Sequence, residues 1–454
     1  MFKKILIANR GEISCRVARA CREMGIKSVA IYSEADRDSL HVKIADEAIC
    51  VGAGSNSDSY LNLANVLMAV QISGAEAVHP GYGYFSERAN FAEALKSLGI
   101  TFIGPPPDAI EAMGDKAKAK AVAIKVGCPV VPGSSGPVAN EQEAVKLAEG
   151  IGYPVLLKAV AGGGGRGIRR VDSAEELVSN WKLAQSEAQA SFGSGELIVE
   201  KYVVEPRHVE VQVMGDSFKN VVYLGERECS AQTVRHQKII EEAPYALMSP
   251  RLRKAMGDSA VKVAKHVGYT NAGTVEFLVT KDEKFYFLEM NTRLQVEHPV
   301  TEQVTDVDLV QLQIRIAAGE KLPFTQRDIE LKGHAIEARI TAQDPDRDFA
   351  PSSGKITVWN APGGRGVRMD THCYAGFTVS PYYDPMLAKV IVTAPTRQQA
   401  VEKLATALHE FQVEGILTNI SFLRKMVAHP KFVSGDIDTS FVPKMLEESL
   451  VYAS

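Results

Sequence analysis

Over the first hundred residues, short apolar runs alternate with stretches whose apolar positions recur at helical spacing. Residues 5–8 form an apolar run, Arg10-Gly11-Glu12 is a turn, and residues 12–24 place Ile13, Val17, Ala20 and Met24 on one helical face. Further strand signals lie at residues 28–32, within 44–51 and at 75–79. Strands alternating with helices predict βαβ units and a parallel sheet. The loop His79-Pro80-Gly81-Tyr82-Gly83-Tyr84 is too rich in Gly and Pro for regular structure. It follows a strand, at the end where open α/β sheets hold ligands.

Pro105-Pro106-Pro107 marks a boundary. Residues 108–126 then read as one Ala- and Lys-rich helix, and residues 127–137 as a Pro/Gly/Ser connector. A strand at 154–160 runs into Gly162-Gly163-Gly164-Gly165-Arg166-Gly167, and another follows at 168–171, so the glycines form a hairpin tip. Residues 208–290 mix strands and helices, residues 334–394 are β-rich, and residues 398–412 read as a surface helix.

Composition narrows the class. The chain has 454 residues, 45% of them hydrophobic and 23% charged, ordinary for a folded protein of about three domains. The balance of 51 Lys+Arg against 55 Asp+Glu points to neither nucleic acid nor a membrane surface as the main partner. The six cysteines contain no CxxC pair, a pattern expected of reduced thiols rather than a zinc site or disulfide framework. The first ten residues carry positive charge but only a four-residue apolar run, shorter than a secretory signal needs. A soluble, cytoplasmic protein is expected.

Three stretches are candidates for chemistry. The glycine run contains a formal GxGxxG at Gly162, Gly164 and Gly167, but a dinucleotide fingerprint must open a helix, and a strand follows here. Glycine backbone N–H groups without Cβ atoms beside them can close on phosphate oxygens. The run therefore predicts a mobile phosphate-binding lid, with Arg166 and Lys158 adding positive charge. No Walker A motif occurs. In the second stretch, residues 285–299, Glu289, Asn291, Arg293, Gln295 and Glu297 share one period-two parity; Met290, Leu294 and Val296 take the other. With Glu276 on a nearby strand signal, Glu289 and Asn291 offer hard oxygen ligands suited to magnesium. The third stretch, Cys229 to Pro244, and His208 are weak signals alone.

Taken together, these strings resemble biotin carboxylase, an ATP-grasp enzyme, from about residue 2 to about residue 445. The resemblance rests on six strings in order: Ile7-Ala8-Asn9-Arg10-Gly11-Glu12-Ile13, His79-Pro80-Gly81-Tyr82-Gly83, Met113-Gly114-Asp115-Lys116, Lys158 with the glycine run, Arg235-His236-Gln237-Lys238 with Glu241-Glu242-Ala243-Pro244, and Glu289 through Pro299. It implies an α/β and α+β architecture: a Rossmann-like N-terminal domain (residues 1–114), an ATP-grasp domain (115–330, with a mobile lid at about 131–203) and a β-rich C-terminal domain (331–446). It implies that ATP and bicarbonate form carboxyphosphate, which yields carbon dioxide and the phosphate that deprotonates biotin. ATP would meet Lys116, Lys158, Gly163, Gly164, Gly165, Glu200, Lys201, Tyr202, Val203, His208, Gln232, His236, Glu276 and Glu289. Magnesium or manganese would sit on Glu276, Glu289 and Asn291. Lys238, Arg293, Gln295 and Val296 would hold bicarbonate, with Glu297 as its base, and Tyr82 and Arg339 would meet biotin, Arg339 stabilising its anion.

The interval from Gln232 to His236 is one residue longer than in many members of that family. Arg19, Glu23 and Arg368 resemble its dimer contacts, although Arg365 replaces a common Phe; a homodimer is expected. No Met-Lys-Met triplet occurs, so biotin is expected on a separate carrier protein, with a separate carboxyltransferase subunit. That subunit would select acetyl-CoA (for fatty acid biosynthesis), propionyl-CoA, pyruvate or 2-oxoglutarate. The competing readings are another ATP-grasp carboxylate ligase and a non-catalytic nucleotide-binding regulator.

Overall fold

A computed structural model describes residues 1–160, 167–192, 194–233 and 235–451. The chain forms two compact units: Met1–Cys128 with Arg207–Phe277 and Glu289–Ser454, and Pro129–Pro206 with Leu278–Leu288.

The first unit opens with the expected parallel sheet. Its order is Glu47–Cys50, Lys27–Tyr32, Lys4–Ile7, Ala77–His79, Thr101–Phe102. Ile5, Leu6 and Ile7 are wholly buried, as a central strand covered on both faces requires. Helix Gly11–Glu23 buries Ile13, Val17 and Ala20. Beyond His79 the chain leaves the sheet as a loop. Gly81 adopts φ +62°, and a Cβ there would lie 2.8 Å from Asn9 Nδ2; only glycine fits. That Asn9 amide donates to the Pro80 and Tyr82 carbonyls, each at 2.7 Å, and so fixes the loop.

The single helix expected at 108–126 is two helices, Pro107–Gly114 and Lys116–Lys125. Asp115 between them has extended backbone, and its carboxylate accepts from the Ala117 and Lys118 N–H groups. This N-cap starts a second helix rather than continuing the first.

An eight-stranded sheet dominates the rest, in the order Phe285–Asn291, Asn271–Val279, Arg207–Gly215, Val221–Gln232, Lys238–Ala243, His334–Thr341, Met386–Ala394, Val367–Thr371. Period-two alternation gives its later strands two unlike faces. Ile336, Ala338 and Ile340 pack with Val390, Val392, Leu404 and Leu408 in one apolar core. Helix Arg397–Glu410, expected at the surface, covers that core with Ala400, Val401, Leu404, Ala407 and Leu408. Glu337, Arg339 and Lys389 have the opposite parity, and Arg339 pairs directly across from Lys389. Glu337 and Lys389 are wholly buried, so this second face is polar without being solvated.

In the second unit, Val155–Ala159 is the middle strand of an antiparallel sheet between Ile168–Val171 and Leu197–Lys201. Helices Glu141–Ile151 and Ala174–Phe192 accompany it, and Leu157, Leu177, Trp181 and Val199 lie in its core. Val155–Ala159 and Ile168–Val171 pair as a hairpin, with Lys158 opposite Ile168. Of its predicted tip, Gly162 to Gly167, only Gly167 is described; Gly162, Gly163, Gly164, Gly165 and Arg166 lie outside the described residues.

Candidate active site

In the first unit, a cluster of buried polar side chains gathers around Lys238. Lys238 opens its strand, and its Nζ lies 2.7 Å from Glu210 Oε2, 2.7 Å from Glu297 Oε1 and 3.2 Å from Glu276 Oε1. Burial works against the ammonium charge, but these three carboxylates outweigh it and hold the Lys238 pKa well above the ordinary range. Glu210 is braced by Arg227, a wholly buried guanidinium that donates to Glu210 Oε1 at 2.5 Å, Gln212 Oε1 at 2.7 Å and the Thr301 and Thr274 hydroxyls.

Glu276 Oε1 also accepts from Asn291 Nδ2 at 2.8 Å and Gln295 Nε2 at 3.2 Å, while His208 Nε2 stands 2.8 Å from its Oε2. The His208 tautomer follows from its other neighbour. Gln232 Nε2 donates to the Cys229 carbonyl at 2.8 Å and lies 2.7 Å from His208 Nδ1. A nitrogen that donates to a carbonyl leaves Nδ1 as acceptor, which puts the imidazole proton on Nε2, facing Glu276. Burial pushes the Glu276 pKa up, but Lys238 and His208 hold it far down. Glu289 behaves oppositely: burial first, then the Glu276 charge, raise its pKa. A carboxylate whose ionisation is suppressed by burial and by an ionised neighbour presents a demand for positive charge, which a divalent cation meets.

Glu297 is the N-cap of helix His298–Thr305, yet its side chain makes no cap hydrogen bond. Its carboxylate turns to Lys238 and to Arg339, whose Nη2 lies 3.0 Å from Oε2. Burial raises its pKa, and Lys238, Arg339 and Arg227 together pull it well below the usual carboxylate range. Arg339 also donates from Nε to Glu241 Oε1 at 2.6 Å. Burial carries Glu241 up to about 7 against that pull.

The alternation expected through residue 297 stops earlier, since the strand ends at Asn291. Glu87 takes over there, accepting the Thr292 N–H at 3.0 Å and Arg293 Nε at 2.9 Å. Arg293 then bends back, donating to Asn291 Oδ1 at 3.1 Å and Gln295 Oε1 at 3.0 Å. The loop, rather than a strand, gathers Asn291, Arg293, Gln295 and Glu297. Gln295 and Glu297 are buried, so the stretch is not a water-facing polar sheet edge.

Three regions of the chain match family models: residues 1–110 the biotin carboxylase N-terminal domain, 115–325 the carbamoyl-phosphate synthase L chain ATP-binding domain, and 337–444 the biotin carboxylase C-terminal domain. The chain is 51% identical to biotin carboxylase 1 of Bacillus subtilis over 97% of its own length and 98% of that protein's. The chain belongs to the biotin carboxylase family. Among solved structures, the biotin carboxylase domain dimer of Hydrogenobacter thermophilus 2-oxoglutarate carboxylase, in complex with MgADP, ADP and bicarbonate, matches with a TM-score of 0.89 and 49% identity over 98% of each chain. A Campylobacter jejuni biotin carboxylase complex with a β,γ-ATP ligand matches with a TM-score of 0.90 and 49% identity, over 98% of this chain and 99% of that one. The architecture is therefore the ATP-grasp fold of biotin carboxylases, with a parallel-sheet N-terminal region and a large antiparallel sheet.

Within this biotin carboxylase fold, the structure brings Glu276, Asn291, Arg293, Gln295, Glu297, Lys238, His208, Gln232 and Arg339 into one linked set. Val296 joins it through its backbone, its carbonyl accepting from Lys389 Nζ at 2.9 Å. Lys116, exposed at the start of its helix, acts electrostatically on Glu289. His236 is exposed in a turn at φ +60°. In the second unit, Lys158 is ion-paired with Glu200, and Lys201 Nζ donates to the Gly152 and Tyr153 carbonyls at 2.8 and 3.0 Å. The Tyr202 N–H donates to the Pro154 carbonyl at 3.0 Å, and half-buried Val203 follows. Arg368 is engaged by Glu302 at 2.7 Å and Asp370 at 2.8 Å, whereas Arg19 and Glu23 are exposed.

Glu87, Glu210, Arg227 and Lys389 escaped the sequence reading, and Glu241 entered it only as part of a string, without a role. Glu210 had a signal: His208, Glu210 and Gln212 alternate with Val209, Val211 and Val213 on one strand. Lys389 is the only charge in the apolar strand Met386–Ala394.

Proposed function

We propose that the protein carboxylates biotin, using ATP and bicarbonate through carboxyphosphate, as the first half-reaction of a biotin-dependent carboxylase. The observation that carries this reading is Glu297, a buried carboxylate held between Lys238 at 2.7 Å and Arg339 at 3.0 Å. Such a carboxylate has a cation on one side for bicarbonate and a cation on the other for the biotin anion.

Bicarbonate is drawn by Lys238, Arg293, Gln295 and the Val296 backbone, and Glu297 removes its proton. The deprotonated oxygen attacks the γ-phosphorus of ATP, the bond to ADP breaks, and carboxyphosphate forms. As the anion takes over the charge of Lys238, Glu297 loses part of what depresses its pKa and becomes a better base. Cleavage of carboxyphosphate gives carbon dioxide and phosphate. Phosphate takes the ureido proton of biotin, and the resulting anion, charge-stabilised by Arg339 and held by Tyr82, attacks carbon dioxide. A guanidinium suits the Arg339 role because its charge does not titrate away.

Glu276, Glu289 and Asn291 would hold magnesium, or manganese in its place. When bound, the ion supplies charge neutralisation to the transferred phosphate. Lys116, Lys158, His208, Gln232, His236 and the glycines 163–165 would meet ATP, with Lys158 and the glycines on a lid of about residues 131–203. Residues 200–203 would lie along the adenine. Biotin would arrive on a separate carrier protein, and a carboxyltransferase subunit would take the product. A homodimer and a cytoplasmic setting complete the proposal, the latter suited to six free thiols.

The test is direct. Purified protein with MgATP, radiolabelled bicarbonate and free biotin should form acid-labile labelled biotin and ADP in equal amounts. ADP formation with no labelled biotin would falsify the proposal.

A further inference from the structure

Lys389 is a cation without a job in the chemistry above, and its surroundings assign it one. Its side chain is wholly buried in the strand Met386–Ala394, whose other residues are apolar or Thr. A hydrophobic residue of similar volume serves such a strand without the desolvation cost of an ammonium. Its contacts lie at two places that substrates would occupy. Nζ donates to the Val296 carbonyl at 2.9 Å and lies 3.0 Å from Glu12 Oε1. Glu12 Oε1 in turn accepts the Tyr82 hydroxyl. Glu12 is itself buried, and its Oε2 has no hydrogen-bond partner among the described residues.

The geometry points to Lys389 as a positioning residue that sets the bicarbonate loop and the biotin tyrosine together. The Val296 carbonyl and the Glu297 N–H are two ends of one planar peptide. Holding that carbonyl fixes where the chain delivers Glu297, the base, and how the Val296 N–H is aimed. Through Glu12, the same ammonium fixes the direction of the Tyr82 hydroxyl, while Asn9 holds the Tyr82 backbone at 2.7 Å. Asp370, directly opposite Lys389 on the neighbouring strand, and Arg339 on the other side complete the charged row in which it stands. This role rests on the bicarbonate and biotin assignments above.

The test is Lys389→Met, which keeps the volume and removes the charge. The expected result is a KM for bicarbonate and a KM for free biotin each raised about tenfold, the size of one lost charged hydrogen bond, with the KM for ATP within about twofold. In a double-mutant cycle, Tyr82→Phe should raise the biotin KM in the wild-type background and add little in Lys389→Met. If Lys389→Met does not fold, Lys389→Met with Glu12→Gln removes both charges and carries the same expectation. Should neither fold, Glu12→Gln alone must raise the biotin KM and leave that for bicarbonate unchanged. Folded Lys389 variants with both constants unchanged, or Glu12→Gln with an unchanged biotin KM, overturn the assignment. A wild-type protein that needs no bicarbonate for ATP cleavage would instead overturn the functional reading on which it stands.

Discussion

Arg339 and Glu297 are joined at 3.0 Å, from Nη2 to Oε2, so the cation proposed for the biotin anion also tunes the base proposed for bicarbonate. The two halves of the reaction share one ion pair, and a change at Arg339 is felt by both.

Arg339→Met should lower the rate of biotin carboxylation by about 10²–10³-fold, the scale for removing a charge-stabilising donor. Bicarbonate-dependent ATP cleavage should fall much less. Because Arg339 lowers the Glu297 pKa, its loss should move the acid limb of the ATP-cleavage pH profile to higher pH. Parallel losses of both activities with an unmoved profile would count against the shared pair.

Lys238 is surrounded by Glu210, Glu276 and Glu297. Lys238→Gln leaves three buried carboxylates facing one another, a loss of about 3–5 kcal/mol in folding stability. Denaturant unfolding measures that loss, and steady-state kinetics should show kcat/KM for bicarbonate reduced by about 100-fold or more. A variant as stable as the wild type would contradict the charge accounting of this cluster.

Glu289→Gln removes one of two mutually repelling carboxylates and one proposed metal ligand. Titration of ATP cleavage with free magnesium should show the half-saturating concentration raised about tenfold or more. An unchanged magnesium dependence would place the ion elsewhere.

Much of this arrangement was readable before any coordinates. The parallel sheet followed from Ile5-Leu6-Ile7 and its successors, because buried parallel strands are continuous apolar runs. The β-rich character of residues 334–394 was legible, but the burial of the charged face at Glu337 and Arg339 was not, because alternation in His334–Thr341 separates two faces without saying which is solvated. Parity misled at one point. Polar and apolar residues keep alternating past Asn291, but the backbone leaves the sheet, since Glu87 captures the Thr292 N–H and the Arg293 side chain. Glu87 is 205 residues from Thr292 in sequence, and no local pattern announces so distant a partner. Asp115 has the side chain of an N-cap, but the Ala- and Lys-rich composition on either side of it reads as one helix. Arg227 sits in a strand with register shifts, where alternation carries no reliable face.

Away from the site, Glu228 offers a pH test. Burial, and then the neighbouring Glu242, raise its pKa from 4.5 to about 8. The folded protein thus holds a proton there that the unfolded chain releases above about pH 4.5, so stability falls as pH rises from about 4.5 to 8. Glu228→Gln keeps an acceptor for the Ser230 N–H, which bonds Glu228 Oε1 at 2.9 Å, and carries no titrating group. It should be more stable than the wild type at pH 8.5 by on the order of 2–3 kcal/mol and nearly equal at pH 5. Thermal unfolding at the two pH values decides; an equal difference at both would refute the raised pKa.

The central claim, that bicarbonate deprotonated beside Glu297 attacks the terminal phosphorus of ATP, is tested most directly by oxygen tracing. Turnover with biotin in fully ¹⁸O-labelled bicarbonate and unlabelled water should yield phosphate carrying one labelled oxygen per molecule, because the attacking oxygen stays on phosphorus when carboxyphosphate breaks down. Phosphate free of label would mean that water, not bicarbonate, meets the phosphorus, and would contradict the account.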